Sequence, residues 1–251
     1  MSGHSKWSTI KHKKGAADAK RGKIFSKLAK ELTVSARNNG GDPGSNITLR
    51  TILSKCKAVN MPADNIDRAI KKGTGELQGE ALEEILFESY ASGGVGLIIE
   101  CLSDNRNRSV AEVRHTLTRQ NATLAGTNQV MRNFSRRGQI LVDAEGVEED
   151  KLMELALEAG AEDMQEKDGM FEILTEPGVF SEVSEKISEA GFAVSEDSGV
   201  NLIPSATVPV TDPSQASSLM KLIDALEELD DVQNVYMNAE IADEALPDEE
   251  G

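Results

Sequence analysis

Nine of the first thirty residues are Lys or Arg, and they fall into two patterns. Lys6, Lys11, Lys13 and Lys14 share a polar opening segment with His4, His12 and Trp7, the chain's single tryptophan. That segment has no apolar periodicity that could bury it, so it reads as an extended arm. Its cations can track a phosphate backbone, and an exposed indole can stack on an unpaired base or lie against ribose. Lys20, Lys23, Lys27 and Lys30, with Arg21 beside them, recur instead at three and four residues. At about 100° per residue, these four lysines occupy a sector of roughly 80° on a helix. The apolar residues Ile24, Leu28 and Leu32, with Phe25 alongside, share another face. The spacing predicts a helix packed on one side and presenting positive charge on the other. Such a surface binds phosphates; nothing in it reads base edges.

A second cationic cluster follows a strand-like run: Asp104, Asn105, Arg106, Asn107 and Arg108, then Arg114 and Arg119 along the next helix. A helix N-terminus flanked by arginines can hold a phosphate, which makes Arg106, Arg108 and Arg114 further candidate contacts. The same residues also suit helix capping by Asp104 or Asn107 with surface ion pairs. Arg132, Arg136 and Arg137 add charge that fits either a second contact patch or a hinge.

Catalytic patterns are missing. His4, His12 and His115 are scattered without a carboxylate placed to orient them, and Gly73-Thr-Gly-Glu-Leu-Gln-Gly79 lacks the Lys-Ser/Thr of a phosphate-cradling loop. The carboxylates of residues 143–200 fall at solvent-facing spacings and read as solubilising charge. Cys56 and Cys101 are too few for a zinc site or a disulfide framework and read as buried thiols. No catalytic residue, metal site or cofactor is expected.

The elements that must hold these residues are legible in outline. A helix over 16–37 ends at the breaker cluster Asn38-Asn-Gly-Gly-Asp-Pro-Gly44. A second helix is capped by Ser45 or Asn46, with Leu49, Ile52, Leu53, Cys56 and Val59 inward, and a third begins near Asn60 and stops at Gly73. After a linker at 73–79 the character changes. Strands are expected at 85–90 and 95–102, separated by Gly93-Gly94, and Ser109 and Glu112 have the spacing of a capping box opening a helix to about residue 122. Further strands fall at 139–142, 170–174 and 199–203, with helices at 148–159 and 179–190. The echo of Leu157-Glu-Ala-Gly160 in Ser188-Glu-Ala-Gly191 argues for a split βαβ, ferredoxin-like unit. A helix at 215–229 and a strand at 232–241 cannot close a domain alone, so they are expected to return and complete the segment at 82–122. The predicted fold is α+β: a helical N-terminal domain followed by two ferredoxin-like α+β domains, the middle one discontinuous. The domains are placed at 1–78, at 79–134 plus 206–243, and at 135–205 as an insertion.

Charge is divided as unevenly as structure. Residues 1–80 hold 16 Lys/Arg against 7 Asp/Glu, a net +9, while residues 81–251 hold 11 against 36, a net −25. One end has the electrostatic footprint of a polyanion binder and the other is repelled from polyanions, so binding should have a defined polarity. No apolar run approaches the roughly 20 residues of a membrane span, and the opening segment lacks the apolar core of a signal peptide. A cytoplasmic protein without a membrane partner is expected, and a monomer.

Several strings resemble the YebC family in order along nearly the whole chain. They are Ser2-Gly-His-Ser-Lys-Trp7, Ile10-Lys-His-Lys-Lys14, Asp18-Ala-Lys-Arg-Gly-Lys-Ile-Phe-Ser-Lys-Leu28 and Gly40-Gly-Asp-Pro43, then Asn60-Met-Pro-Ala-Asp-Asn-Ile-Asp-Arg-Ala-Ile70. Asp104-Asn-Arg-Asn-Arg108, Glu112-Val-Arg-His115 and Val235-Tyr-Met-Asn-Ala-Glu-Ile241 continue the series. The resemblance implies three domains, the first helical, the others α+β, the middle one built from separate segments. Members are commonly described as DNA-binding transcriptional regulators. The family also includes the mitochondrial translational activator of cytochrome oxidase subunit I, and bacterial members are connected with ribosomes stalled at proline runs. The chain departs from the family at Ala91-Ser-Gly-Gly94, where a Gly-Pro-Gly-Gly turn is usual, and at Asn121–Val130, where a Gly-rich stretch is usual. The expected function is a non-enzymatic nucleic-acid-binding regulator of gene expression, with DNA or ribosomal RNA on the ribosome as partner. A ribosome-bound translation factor that relieves stalling and a protein-interaction adaptor are the alternatives.

Overall fold

The computed structural model describes residues 19–79, 81–195 and 197–246. Its first unit is three helices: α1 (Ala19–Asn39), α2 (Ile47–Ala58) and α3 (Ala63–Gly73). Leu28, Leu32, Leu49, Ile52, Cys56, Met61 and Ala69 form their common core. Ile24, which the periodicity assigned to the buried stripe, is instead exposed. Asn46 sets the turn between α1 and α2. Its Oδ1 accepts from the Leu49 N–H, and its Nδ2 donates to the carbonyls of Ser35 and Gly40, so one side chain caps α2 and ties it to the end of α1. At Gly73 a Cβ would lie 2.4 Å from the Thr33 carbonyl oxygen, and this close approach lets α3 pack along α1.

The chain then forms the hairpin of β1 (Glu83–Tyr90) and β2 (Gly96–Ser103), with Ile85 opposite Cys101. Gly93 and Gly94 both take positive φ in its turn. Next come α4 (Arg106–Arg119) and the short β3 (Thr123–Leu124), which pairs with β1. Because β1 lies between β2 and β3, this is a split βαβ. The sheet is completed from far along the chain: β9 (Val232–Met237) pairs antiparallel with β2, giving the order β3-β1-β2-β9. α7 (Pro213–Glu227) lies with α4 on one face, over Leu97, Ile99, Val113, Leu117, Leu222 and Ile223. Two flanking strands, β8 (Val208–Val210) and β10 (Ala239–Ile241), pair in parallel.

Between these segments runs β4 (Phe134–Asp143), α5 (Glu149–Ala159), β5 (Asp163–Lys167), β6 (Met170–Thr175), α6 (Phe180–Glu189) and β7 (Gly199–Pro204). The sheet order β5-β6-β4-β7, antiparallel throughout, is the ferredoxin-like βαββαβ arrangement. The sheet built on β1 and β2 has the same two layers, but a hairpin rather than a helical crossover joins its central strands. Its helix-free face packs Ile98 and Tyr236 against Val130, Phe134 and Leu202, closing the seam to the β4–β7 sheet. Beside that seam Glu88 is buried and accepts backbone N–H bonds from Asn128, Val130 and Met131 at 2.5, 2.7 and 2.8 Å. One carboxylate therefore shapes the stretch that departs from the family pattern.

Three expectations about local structure change. α4 starts three residues before Ser109 and is capped by Asn105, whose Oδ1 accepts from the Arg108 N–H. Ser109 is buried inside it, not a cap. β4 begins at Phe134 rather than at residue 139, because residues 134–139 pair antiparallel with β7, Phe134 opposite Pro204 and Gln139 opposite Gly199. The expected strand at 232–241 is two strands, interrupted at Asn238, whose Oδ1 accepts from the Gly96 N–H at 2.7 Å.

Candidate nucleic-acid interface

His4, Lys6, Trp7, Lys11, His12, Lys13 and Lys14 lie outside the described residues, as does the side chain of Lys20. The rest of the expected basic surface can be placed, and it does not form one open patch. Lys23, Lys27 and Lys30 stand at i, i+4 and i+7 on α1, and the C-terminal end of α7 lies against them. Lys23 Nζ donates to the Glu228 carbonyl at 2.8 Å and to its Oε2 at 2.5 Å, and Lys27 Nζ donates to the Glu227 carbonyl at 3.0 Å. Lys30 Nζ donates to the carbonyls of Leu102 and Asp230 and to Asp231 Oδ1, at 3.1, 2.9 and 2.7 Å. The expectation of a charged face opposite the packed one is thus corrected: both faces of α1 are packed. The physical reason is the negative end of α7. Its last carbonyls lack helical partners and its dipole favours cations, so a row of lysines is a suitable cap.

Asp231 is the hub of this contact. Its side chain is 3% exposed, and besides Lys30 it accepts from the hydroxyls of Ser103 and Ser109 and from the Arg108 guanidinium. Burial pushes its carboxyl pKa up, but the hydrogen bonds from Lys30, Arg108, Ser109 and Ser103 outweigh that and hold it at about 2. Arg108 also pairs with Asp104 at 2.8 Å. A guanidinium so engaged fastens the fold, although the Arg108 side chain remains 43% exposed. Sequence reasoning missed Asp231, which looks like part of the solvated run Glu227-Glu-Leu-Asp-Asp231; only its packing against residues more than a hundred positions away distinguishes it.

The exposed cations lie elsewhere. Arg21 is exposed on the first turn of α1, and Arg106 and Arg114 are exposed on α4. Lys57 on α2 and Arg68 and Lys72 on α3 are also exposed, and make no ion pair among the described residues. The fifteen candidates therefore divide into eight whose side chains lie outside the described residues, Lys20 among them, three lysines and one arginine engaged in internal contacts, and three exposed arginines. Both thiols are buried, and desolvation pushes Cys56 up to about 11 and Cys101 up to about 12. Neither has the character of a nucleophile. Among the described residues no cluster of His, Cys, Asp or Glu could hold a metal ion, and no helix is long and apolar enough to cross a membrane.

A small helical domain joined through an ionic seam to two α+β sheets, one inserted into the other, defines a three-part α+β protein. Comparison with known proteins gives that architecture a family. Residues 5–76 match the TACO1/YebC protein N-terminal domain, and residues 82–239 match the TACO1/YebC second and third domain. The chain belongs to the TACO1/YebC family. It is 50% identical over 246 residues to a "probable transcriptional regulatory protein" of Geobacter sulfurreducens, covering 98% of both chains. It is 51% identical over 246 residues to one from Treponema pallidum, covering 98% of this chain and all of the relative. The crystal structure of a conserved hypothetical protein from Aquifex aeolicus superposes with a TM-score of 0.81 at 44% identity, covering 92% of this chain and 94% of that one.

Proposed function

We propose that this chain is a non-enzymatic, nucleic-acid-binding regulator of gene expression, working in the cytoplasm, and that its arm over residues 1–14 makes the primary contact. The observation that carries this reading is the division of charge, +9 over residues 1–80 against −25 over the remainder. Six of the eleven cations in that remainder pair with carboxylates of the chain itself. The names of the relatives as transcriptional regulators agree with it. In the helical domain Arg21, Lys57, Arg68 and Lys72 offer further exposed cations, and Arg106 and Arg114 supply a separate contact on α4.

One feature favours ribosomal RNA over duplex DNA. α1, the helix with the lysine row that groove binding would use, lies against α7, so duplex DNA reaches that row only where the contact opens. A basic arm carrying a single indole can enter a crevice in folded RNA and stack there without any helix entering a groove. The test is fluorescence anisotropy of the full chain and of the chain lacking residues 2–14, against a DNA duplex and a structured ribosomal RNA fragment, across a salt series. With about five phosphate contacts the log–log salt slope on DNA should be roughly −4 to −5, and removal of the arm should weaken RNA binding more than DNA binding. A flat salt response, or RNA affinity indifferent to the arm, would end this reading.

A further inference from the structure

We infer that the C-terminal end of α7 occupies the lysine row of α1 as an internal substitute for a phosphate strand, so that this contact and nucleic acid compete for Lys23, Lys27 and Lys30. The inference rests on the nucleic-acid reading above and adds a closed and an open form to it. What α7 offers is chemically close to a sugar-phosphate backbone: a row of acceptor oxygens bearing net negative charge. The carbonyls of Glu227, Glu228 and Asp230 and the carboxylates of Glu228 and Asp231 meet three successive ammonium groups at 2.5–3.0 Å. Two of the three ammonium groups reach outside the buried cluster. Lys23 retains 39% side-chain exposure and its partner Glu228 58%, so this end of the contact is solvated and screened by salt. Lys30 is the enclosed end, with three acceptors for its three N–H bonds.

Opening from the Lys23 end exchanges one set of oxygens for another. A phosphate strand approaching from solvent displaces Glu228 first and Asp231 last. Opening leaves the two parts tethered, because the chain runs on from α3 to β1 and Arg37 Nη1 donates to the Leu82 carbonyl at that linker at 2.6 Å. The closed form thus keeps three cations of the basic domain from nonspecific polyanions. A target that first engages the arm is then placed to take them over.

The test locks the contact in the full-length chain. Lys23 and Glu228 are replaced by cysteine and joined with a short bis-maleimide, and the same variant capped at both thiols with N-ethylmaleimide is the control. The native thiols are buried and have raised pKa values, so they are spared. Affinity for a fluorescein-labelled DNA duplex is measured from low to moderate salt. The joined protein should bind more weakly, with a salt slope shallower by about 2, since Lys27 and Lys30 each release close to 0.9 counterion only when free to meet phosphate. Glu228→Gln in the otherwise native chain should bind more tightly than the native protein. Equal affinity and equal slope for joined and capped protein overturn the competition while leaving the nucleic-acid reading intact. Loss of binding in both, and in the native chain, overturns the two together.

Discussion

The two seams that hold this molecule together are made of opposite materials. The helical domain meets the β1–β2 sheet through ammonium groups, carbonyls and the buried Asp231. The inserted β4–β7 sheet meets the same partner through an apolar plug of Ile98, Val130, Phe134, Leu202 and Tyr236, edged by the Arg136–Glu100 and Lys167–Glu240 ion pairs. An apolar seam is insensitive to salt and cannot be exchanged for a charged ligand. An ionic seam weakens with salt wherever water reaches it and can be traded for another polyanion. The basic domain is therefore attached by the one kind of contact that its expected ligand can imitate, and the acidic insert by the kind that it cannot.

The largest expected effect lies at the enclosed end of the ionic seam. Asp231→Ala leaves Lys30 and Arg108 facing each other without their shared carboxylate and strips the hydroxyls of Ser103 and Ser109 of an acceptor. Removing one partner from a buried charge cluster costs about 3–5 kcal/mol, read as a lowered unfolding midpoint in the first calorimetric transition. The same group sets an acid limit. Its carboxyl titrates near 3.8 when unfolded and at about 2 in the fold. Its contribution is therefore complete above about pH 4 and is lost as pH falls toward 2. An Asp231→Asn variant should lose that part of the acid dependence, and an unchanged acid profile would show that the cluster is not what fails.

Next in size is the apolar seam. Phe134 is buried against Ile98, Leu202 and Tyr236, and Phe134→Ala should cost about 3 kcal/mol from the lost transfer energy and the cavity left behind. Its penalty should be the same at low and high salt, whereas the small penalty of Glu228→Gln at the solvated end of the ionic seam should shrink as salt rises. If both variants respond to salt alike, the contrast between the seams fails.

How much of this was legible beforehand follows from how local each signal is. The α+β class, the Asn46 cap and the stop of α3 at Gly73 depend on residues a few positions apart, and single-sequence reasoning reaches them. β5 was not expected because Asp163-Met-Gln-Glu-Lys167 is an edge strand with little apolar alternation, although the Asp168-Gly169 turn after it, with positive φ at both residues, is a hairpin signal that a closer reading could have used. The lysine row of α1 was legible as a charged face, but not what it faces. A helical spacing states which side chains share a side; it carries no information about a helix end some two hundred residues later. The same distance hid Asp231, whose partners Lys30 and Arg108 come from two different elements.

The smallest expected effect concerns the direct link between the helical domain and the insert. Arg50 Nη1 on α2 lies 3.4 Å from Glu185 Oε1 on α6, with the two side chains 47% and 61% exposed. Arg50 also reaches the carbonyls of Pro43 and Gly44, at 3.2 and 3.4 Å, within its own domain. An exposed pair of this length, between side chains that remain free to reorient, contributes about 0–1 kcal/mol and is screened by salt. Glu185→Gln should therefore move the unfolding midpoint by less than about 0.5 kcal/mol in free-energy terms. Glu185→Gln is a cleaner probe than removing Arg50, because it cuts only the link between domains and leaves the Pro43–Gly44 turn supported. Small-angle scattering of the variant at low salt should superimpose on that of the native protein. A measurable expansion on losing Glu185 would mean that this exposed pair, and not the Lys23–Lys30 row, sets the position of the basic domain, and the division between an ionic seam that holds and a surface contact that merely touches would have to be abandoned.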